Sequence, residues 1–125
     1  MNADKPHLLV VDDEPLNRDL LRRLLSGDYE ISDAEDADEA LSLLRSEAGA
    51  SIVLVLCDHL MPGRTGVELA KVAREHRSDL PFLLLTGYDQ EREVVEAKRD
   101  GTIAEILGKP WRTRELRELI ARFLR

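Results

Sequence analysis

The stretch Ile52-Val53-Leu54-Val55-Leu56-Cys57-Asp58-His59-Leu60-Met61-Pro62-Gly63 decides the fold. Its first six residues form a short apolar run, rich in β-branched side chains and closed by Pro62 and Gly63. Such a run reads as a buried strand, Ile52–Cys57, ending in a carboxylate. A carboxylate in that position lies at the mouth of a sheet.

Two further runs end in the same way. His7-Leu8-Leu9-Val10-Val11 leads into Asp12 and Asp13, and Ile103-Ala104-Glu105-Ile106-Leu107 leads toward Lys109. Pro81–Thr86 is a fourth strand, with proline tolerated at its first residue. Tyr29–Ala34 is the second strand in chain order, with Tyr29 and Ile31 as its main apolar residues, and Ile103–Leu107 is the fifth. Helix-like segments lie between. Pro15 suits a helix start, and Leu16, Leu20, Leu21, Leu24 and Leu25 give that helix an apolar stripe before Ser26-Gly27-Asp28 stops it. Asp36 caps a helix through about Glu47, with Ala37, Ala40, Leu41 and Leu44 inward and Gly49 as its stop. A loop carries Asp58–Thr65, and a third helix runs from Gly66 to His76. Asp89 caps a fourth, through Asp100, whose thin stripe of Val94, Val95 and Ala97 implies loose packing or a partner-facing surface. Gly101 ends it. The last follows Trp111, with Leu116, Leu119, Ile120, Phe123 and Leu124 as its apolar face.

Five β/α units with near-continuous apolar strands mean a doubly wound α/β fold, its parallel sheet covered on both faces. Ligands of such sheets bind outside the carboxyl ends of the strands. Asp12, Asp13, Asp58, Thr86 and Lys109 all fall there. Alone, each has a plain structural reading: a helix cap, a turn residue, a surface lysine. As a set at one sheet edge they are far more specific.

The chain has 125 residues, room for one domain with one core. Eighteen Lys and Arg against 25 Asp and Glu give a net charge of −7, which disfavours direct nucleic-acid binding through this domain. The C-terminal arginines 112, 114, 117, 122 and 125 read as a solvated helix face. A single cysteine, Cys57, excludes an intrachain disulfide and reads as a small buried hydrophobe. No signal-peptide pattern opens the chain, and no apolar run approaches the roughly 20 residues of a membrane span. The expectation is a cytoplasmic protein without a membrane partner.

Asp12, Asp13 and Asp58, packed together and ionised, repel unless a cation neutralises them. Mg²⁺ is the natural choice, since it takes one or two carboxylates, keeps waters and accepts phosphate oxygens. No EF-hand spacing favours calcium. Zinc is disfavoured by an isolated Cys57 and by histidines scattered at positions 7, 59 and 76. Lys109 offers a compact positive charge, Thr86 a hydroxyl, and a carboxylate such as Asp58 is a nucleophile able to form an acyl phosphate.

These residues together resemble the receiver domain of two-component response regulators, from Leu8 to Leu124. The matching pieces are Val10-Val11-Asp12-Asp13-Glu14-Pro15, Asp58 through Gly66, Leu84-Leu85-Thr86-Gly87 and Lys109-Pro110. The resemblance implies a flavodoxin-like (βα)5 fold with strand order 2-1-3-4-5. It implies Asp58 as phosphoacceptor, charged by the phosphohistidine of a sensor histidine kinase or a phosphotransfer protein. Mg²⁺ would be held by Asp12, Asp13, Asp58 and the backbone carbonyl of Leu60. Thr86 would be the switch hydroxyl and Lys109 the phosphate-pairing cation. Pro110 would follow a cis peptide bond. The face of helix four, strand five and helix five would meet a downstream protein or, on phosphorylation, a second copy. Residues 1–125 are expected to form a single receiver domain with no output domain, self-phosphorylating but not a metabolic enzyme.

The chain departs from the family pattern in three places. Ile106 stands where an aromatic switch residue is usual, Trp111 where Phe is common, and the segment from Gly101 to Lys109 is one residue longer than usual. Two other readings compete. One is a phosphorylation-independent binding module, against which all five site residues stand. The other is a haloacid-dehalogenase-type phosphatase, which wants a second Asp where Leu60 stands.

Overall fold

Strand pairing organises the molecule from the middle outward. The computed structural model describes residues 5–124. Five parallel strands, β1 (His7–Val11), β2 (Glu30–Ala34), β3 (Ile52–Cys57), β4 (Phe82–Thr86) and β5 (Glu105–Gly108), lie in the order β2-β1-β3-β4-β5. Five helices alternate with them: α1 (Pro15–Leu25), α2 (Ala37–Arg45), α3 (Gly66–Arg74), α4 (Arg92–Arg99) and α5 (Thr113–Phe123). The fold expected from the sequence is therefore the one observed. No helix among the described residues is long and apolar enough to cross a membrane.

Alternation along the strands divides the core into two layers. Leu9, Val11, Val55, Cys57, Phe82 and Leu84 face α2, α3 and α4. Leu8, Val10, Leu54, Leu56, Leu83 and Leu85 face α1 and α5. One irregularity breaks the alternation: His7 pairs with Ile52 but Leu8 with Leu54, so Val53 is an extra residue on β3 and is left exposed. Beyond it the strands stay in step to Val11 and Cys57, and Asp58 N–H donates to the Val11 carbonyl at 3.0 Å. The residues after those two strand ends, Asp12 and Asp58, thus emerge side by side.

Several boundaries differ from the sequence reading. Tyr29 and Pro81 lie just before their strands, and α3 ends at Arg74, two residues short of His76. Helix α2 ends at Arg45, and Gly49 is buried in a 3₁₀ turn (Ala48–Ser51) where a Cβ would meet the Leu43 carbonyl. Its role is close approach, not a helix stop. Asp89 does not cap α4; the cap position is Glu91, without a side-chain cap bond, and the Asp89 carboxylate lies over Gly108. Strand β5 begins at Glu105 and runs to Gly108, because the longer segment after Gly101 is taken up by turns around Thr102–Ala104. In α1 only Leu21 and Leu25 are buried; Leu16 is 80% exposed and Leu20 46%. Cys57 is buried, as read.

Candidate functional site

The carboxyl edge of the sheet gathers the acids. Asp12 and Asp58 follow the paired ends of β1 and β3, and Asp13 follows Asp12 on the solvent side. One carboxylate oxygen from each of the three lies within 4.8 Å of the others. Asp12 is buried and held on both oxygens: Oδ1 accepts the Glu14 N–H at 2.9 Å, and Oδ2 accepts from Asn17 Nδ2 at 3.3 Å. Arg18 Nη1 donates to the Asp12 carbonyl at 2.7 Å, fixing the start of α1 against the site.

Asp58 is mostly buried, and its Oδ1 accepts the His59 N–H at 2.8 Å. Burial raises its pKa above the ordinary carboxylate value, and the neighbouring Asp12 charge adds to the rise. The Lys109 ammonium and the His59 N–H pull the other way but do not cancel it. Burial likewise pushes the Cys57 thiol well up, so it is a packed, uncharged side chain.

The loop after Asp58 is pinned by Gly66, whose N–H donates to the His59 carbonyl at 2.8 Å. A Cβ on Gly66 would fall 2.4 Å from the Asp58 carbonyl oxygen, so glycine fits best beside Asp58. Thr65 then caps α3: its Oγ1 accepts the Glu68 N–H while the Glu68 carboxylate accepts the Thr65 N–H, a capping box of about 1 kcal/mol. Leu60 lies in this loop with its side chain 45% exposed.

Thr86 is fully buried at the end of β4. Its Oγ1 accepts the Tyr88 N–H at 3.0 Å, which uses a lone pair and leaves the hydroxyl hydrogen free to donate. Lys109 is tied to the same strand end, its N–H donating to the Thr86 carbonyl at 2.9 Å, and the Lys109–Pro110 bond is cis. Its Nζ stands 3.6 Å from Asp58 Oδ2. Every side chain picked from the sequence is therefore at this edge. Among the described residues, three carboxylates whose one ion pair is with Lys109 fit a small, hard divalent cation that keeps some of its water.

Sequence reasoning missed three things. Asn17 is a partner of Asp12, visible only once α1 is placed. A cleft of about 580 Å³ runs from Asp58 and Lys109 past Leu20, Leu24 and Trp111, between α1 and α5. The third is His59, fully buried, with neither ring nitrogen in a hydrogen bond among the described residues; such orphaned groups cost about 1–3 kcal/mol each. Its neighbours, Glu91 and Glu93, are more than thirty positions away in the chain, and no local pattern signals them.

A family model described as "Response regulator receiver domain" matches residues 8–121. The chain is 33% identical over 111 residues to the hydrogenase transcriptional regulatory protein HoxA of Cupriavidus necator, covering 89% of this chain and 22% of HoxA. It is 40% identical over 115 residues to the response regulator protein FleR of Pseudomonas aeruginosa, covering 92% of this chain and 24% of FleR. The chain thus spans about a quarter of the length of these relatives. Among solved structures, it is similar to the response regulator protein TrrA of Thermotoga maritima in complex with Mg²⁺ and BeF, with 34% identity and a TM-score of 0.79 over 94% of this chain and 97% of that one.

Proposed function

The chain belongs to the response regulator receiver domain family, and on that premise we propose that it is a phosphorylation switch with Asp58 as acceptor. Receiver domains are signalling modules of two-component systems, not metabolic enzymes. The observation that carries the proposal is the meeting of three carboxylates within 4.8 Å with a single ammonium 3.6 Å from Asp58. Residues 1–125 are read as one receiver unit.

In this reading a carboxylate oxygen of Asp58 attacks the phosphorus of a phosphohistidine on a sensor kinase or phosphotransfer protein. The P–N bond breaks as the new P–O bond forms, and the donor imidazole leaves with the electron pair. Asp12, Asp13 and Asp58 would hold Mg²⁺, with the Leu60 carbonyl as a further ligand. When bound, the ion neutralises the acids and the phosphoryl oxygens. The Lys109 ammonium pairs with one phosphoryl oxygen. The Thr86 side chain turns so that its free hydroxyl hydrogen donates to another, and the movement of Oγ1 gives up the Tyr88 contact. That exchange links the acceptor to the segment leading into α4, and so to the α4-β5-α5 face proposed for the downstream partner or for a phosphorylation-dependent dimer. Ile106 is only partly buried on that route and carries no aromatic ring to rotate. Hydrolysis of the acyl phosphate returns Asp58 to its resting form.

A macromolecular donor has to reach Asp58 from the open side of the site. The cleft and the exposed Leu16 and Leu20 beside it offer an apolar surface there. The reading takes the protein to act in the cytoplasm and without direct nucleic-acid contact through this domain. Intact mass and Trp111 fluorescence, after mixing with Mg²⁺ and acetyl phosphate or beryllofluoride, test it. Wild type should gain one phosphoryl mass and change its fluorescence, and Asp58→Asn should do neither. A folded wild type that does not respond would favour the phosphorylation-independent binding module.

A further inference from the structure

A second group of atoms of the kind that can bind a metal gathers at His59, the residue after Asp58. The His59 ring is fully buried and faces the start of α4. Its Nε2 is 3.2 Å from Glu93 Oε1 and 3.8 Å from Glu91 Oε1, and one ligand atom from each of the three residues lies within 4.8 Å of the others. These contacts are close, yet none is a hydrogen bond, and both ring nitrogens are left without a partner among the described residues. Neither glutamate has a lysine or arginine within ion-pair distance among those residues. Arg92, which sits between them in the chain, turns away to Glu96 at 3.0 Å.

From these observations we infer that His59 Nε2, Glu91 and Glu93 form a binding site for a zinc-class divalent cation, separate from the acidic cluster of Asp12, Asp13 and Asp58. The spacing is that of a coordination shell. With bonds of about 2.0–2.2 Å to nitrogen and oxygen, two ligands of a tetrahedral ion stand roughly 3.4 Å apart. The His59 contacts of 3.2 and 3.8 Å bracket that value. An imidazole among the ligands selects zinc, cobalt or nickel over magnesium, which prefers an all-oxygen shell with several waters. Three protein ligands leave a fourth position for water, and the half-exposed glutamates leave the ion exchangeable. A bound ion fastens the residue after Asp58 to the first turn of α4.

The test uses the full chain in excess Mg²⁺, so that the acidic cluster is saturated. Zn²⁺ is titrated by calorimetry and Co²⁺ by visible absorption. Wild type should take up one equivalent of Zn²⁺ and give the intense visible bands of tetrahedral cobalt. Asp13→Asn should leave both unchanged. Glu91→Gln with Glu93→Gln, two half-exposed changes, should weaken binding at least 100-fold or so, since even the outer partners of a metal are worth about 10–100-fold. His59→Gln should do the same, provided its thermal melt remains cooperative; if it does not fold, the glutamate pair decides alone. Absence of Zn²⁺ uptake, uptake unchanged by the glutamate pair, or uptake abolished by Asp13→Asn would each overturn the assignment.

Discussion

Lys109 Nζ stands 3.6 Å from Asp58 Oδ2, near enough to offset part of the cost of a buried carboxylate and too far to be locked to it by a hydrogen bond. The ammonium is thus free to follow a phosphoryl group. Lys109→Ala should retain Mg²⁺ binding but lose the Trp111 response to beryllofluoride, because Trp111 and Lys109 line the same cleft. An unchanged response would remove Lys109 from the switch.

Asp58 also sets a pH dependence. Its pKa is raised by burial and by Asp12, so the folded state holds its proton to higher pH than the unfolded chain does. Between the unfolded value of about 3.9 and the raised folded value, the native state binds more protons, and stability from this group falls as pH rises. Asp58→Asn should therefore stabilise the metal-free protein at neutral pH, with the gain vanishing in acid below the unfolded value. Mg²⁺ should shrink the difference by stabilising wild type. Thermal melts across pH, with and without Mg²⁺, read this directly.

Asp12 and Asp13 should separate in their effects. Asp13 is exposed and unbonded among the described residues, so Asp13→Ala should weaken Mg²⁺ at least about tenfold and change stability by no more than about 0.5 kcal/mol. Asp12→Ala removes the acceptor for Glu14 N–H and Asn17 as well, and should cost about 1 kcal/mol or more in addition to the metal. Urea denaturation with Mg²⁺ titration distinguishes the two.

Gly66→Ala should cost about 1–3 kcal/mol, since the new methyl meets the Asp58 carbonyl at 2.4 Å and Leu84 Cδ1 at 2.7 Å. The leucine can move; the backbone of Asp58 gives way less easily. Denaturation should show the loss, and the beryllofluoride response should weaken with it. A fully stable, fully responsive variant would mean the loop relaxes without cost.

Leu20→Glu places a charge on the rim of the cleft without removing a core residue. Phosphorylation by acetyl phosphate should be unchanged, whereas transfer from a phosphorylated kinase or phosphotransfer protein should fall at least about tenfold, the equivalent of roughly 1.4 kcal/mol. Equal loss with both donors would mean that Leu20 shapes the site and not the docking.

Strands were the most legible part of the chain, because Ile52–Cys57 and His7–Val11 are apolar on both faces and their ends carry acids. The site followed from them, since a parallel sheet collects its strand ends at one edge. Leu16 and Leu20 misled because an α1 of 11 residues has one stripe against the sheet, filled by Leu21 and Leu25, while Leu20 borders an open cleft and Leu16 is left to solvent. Asp89 looked like a cap because caps are local, yet its carboxylate lies beside Gly108 of β5. His59 with Glu91 and Glu93 was invisible for a related reason: the three are joined only by the approach of the start of α4 to the loop after β3, which no spacing in the chain records.

The extra residue Val53 sits at the end of β3 remote from Asp58. A slip of one residue between β1 and β3 would turn every following side chain to the opposite layer and carry Asp58 away from Asp12. By taking up the surplus before the paired run begins, the bulge acts as an expansion joint. Length changes in the 3₁₀ segment ahead of β3 can be absorbed at that end of the sheet, leaving the opposite end free to hold fixed distances while its loops diverge.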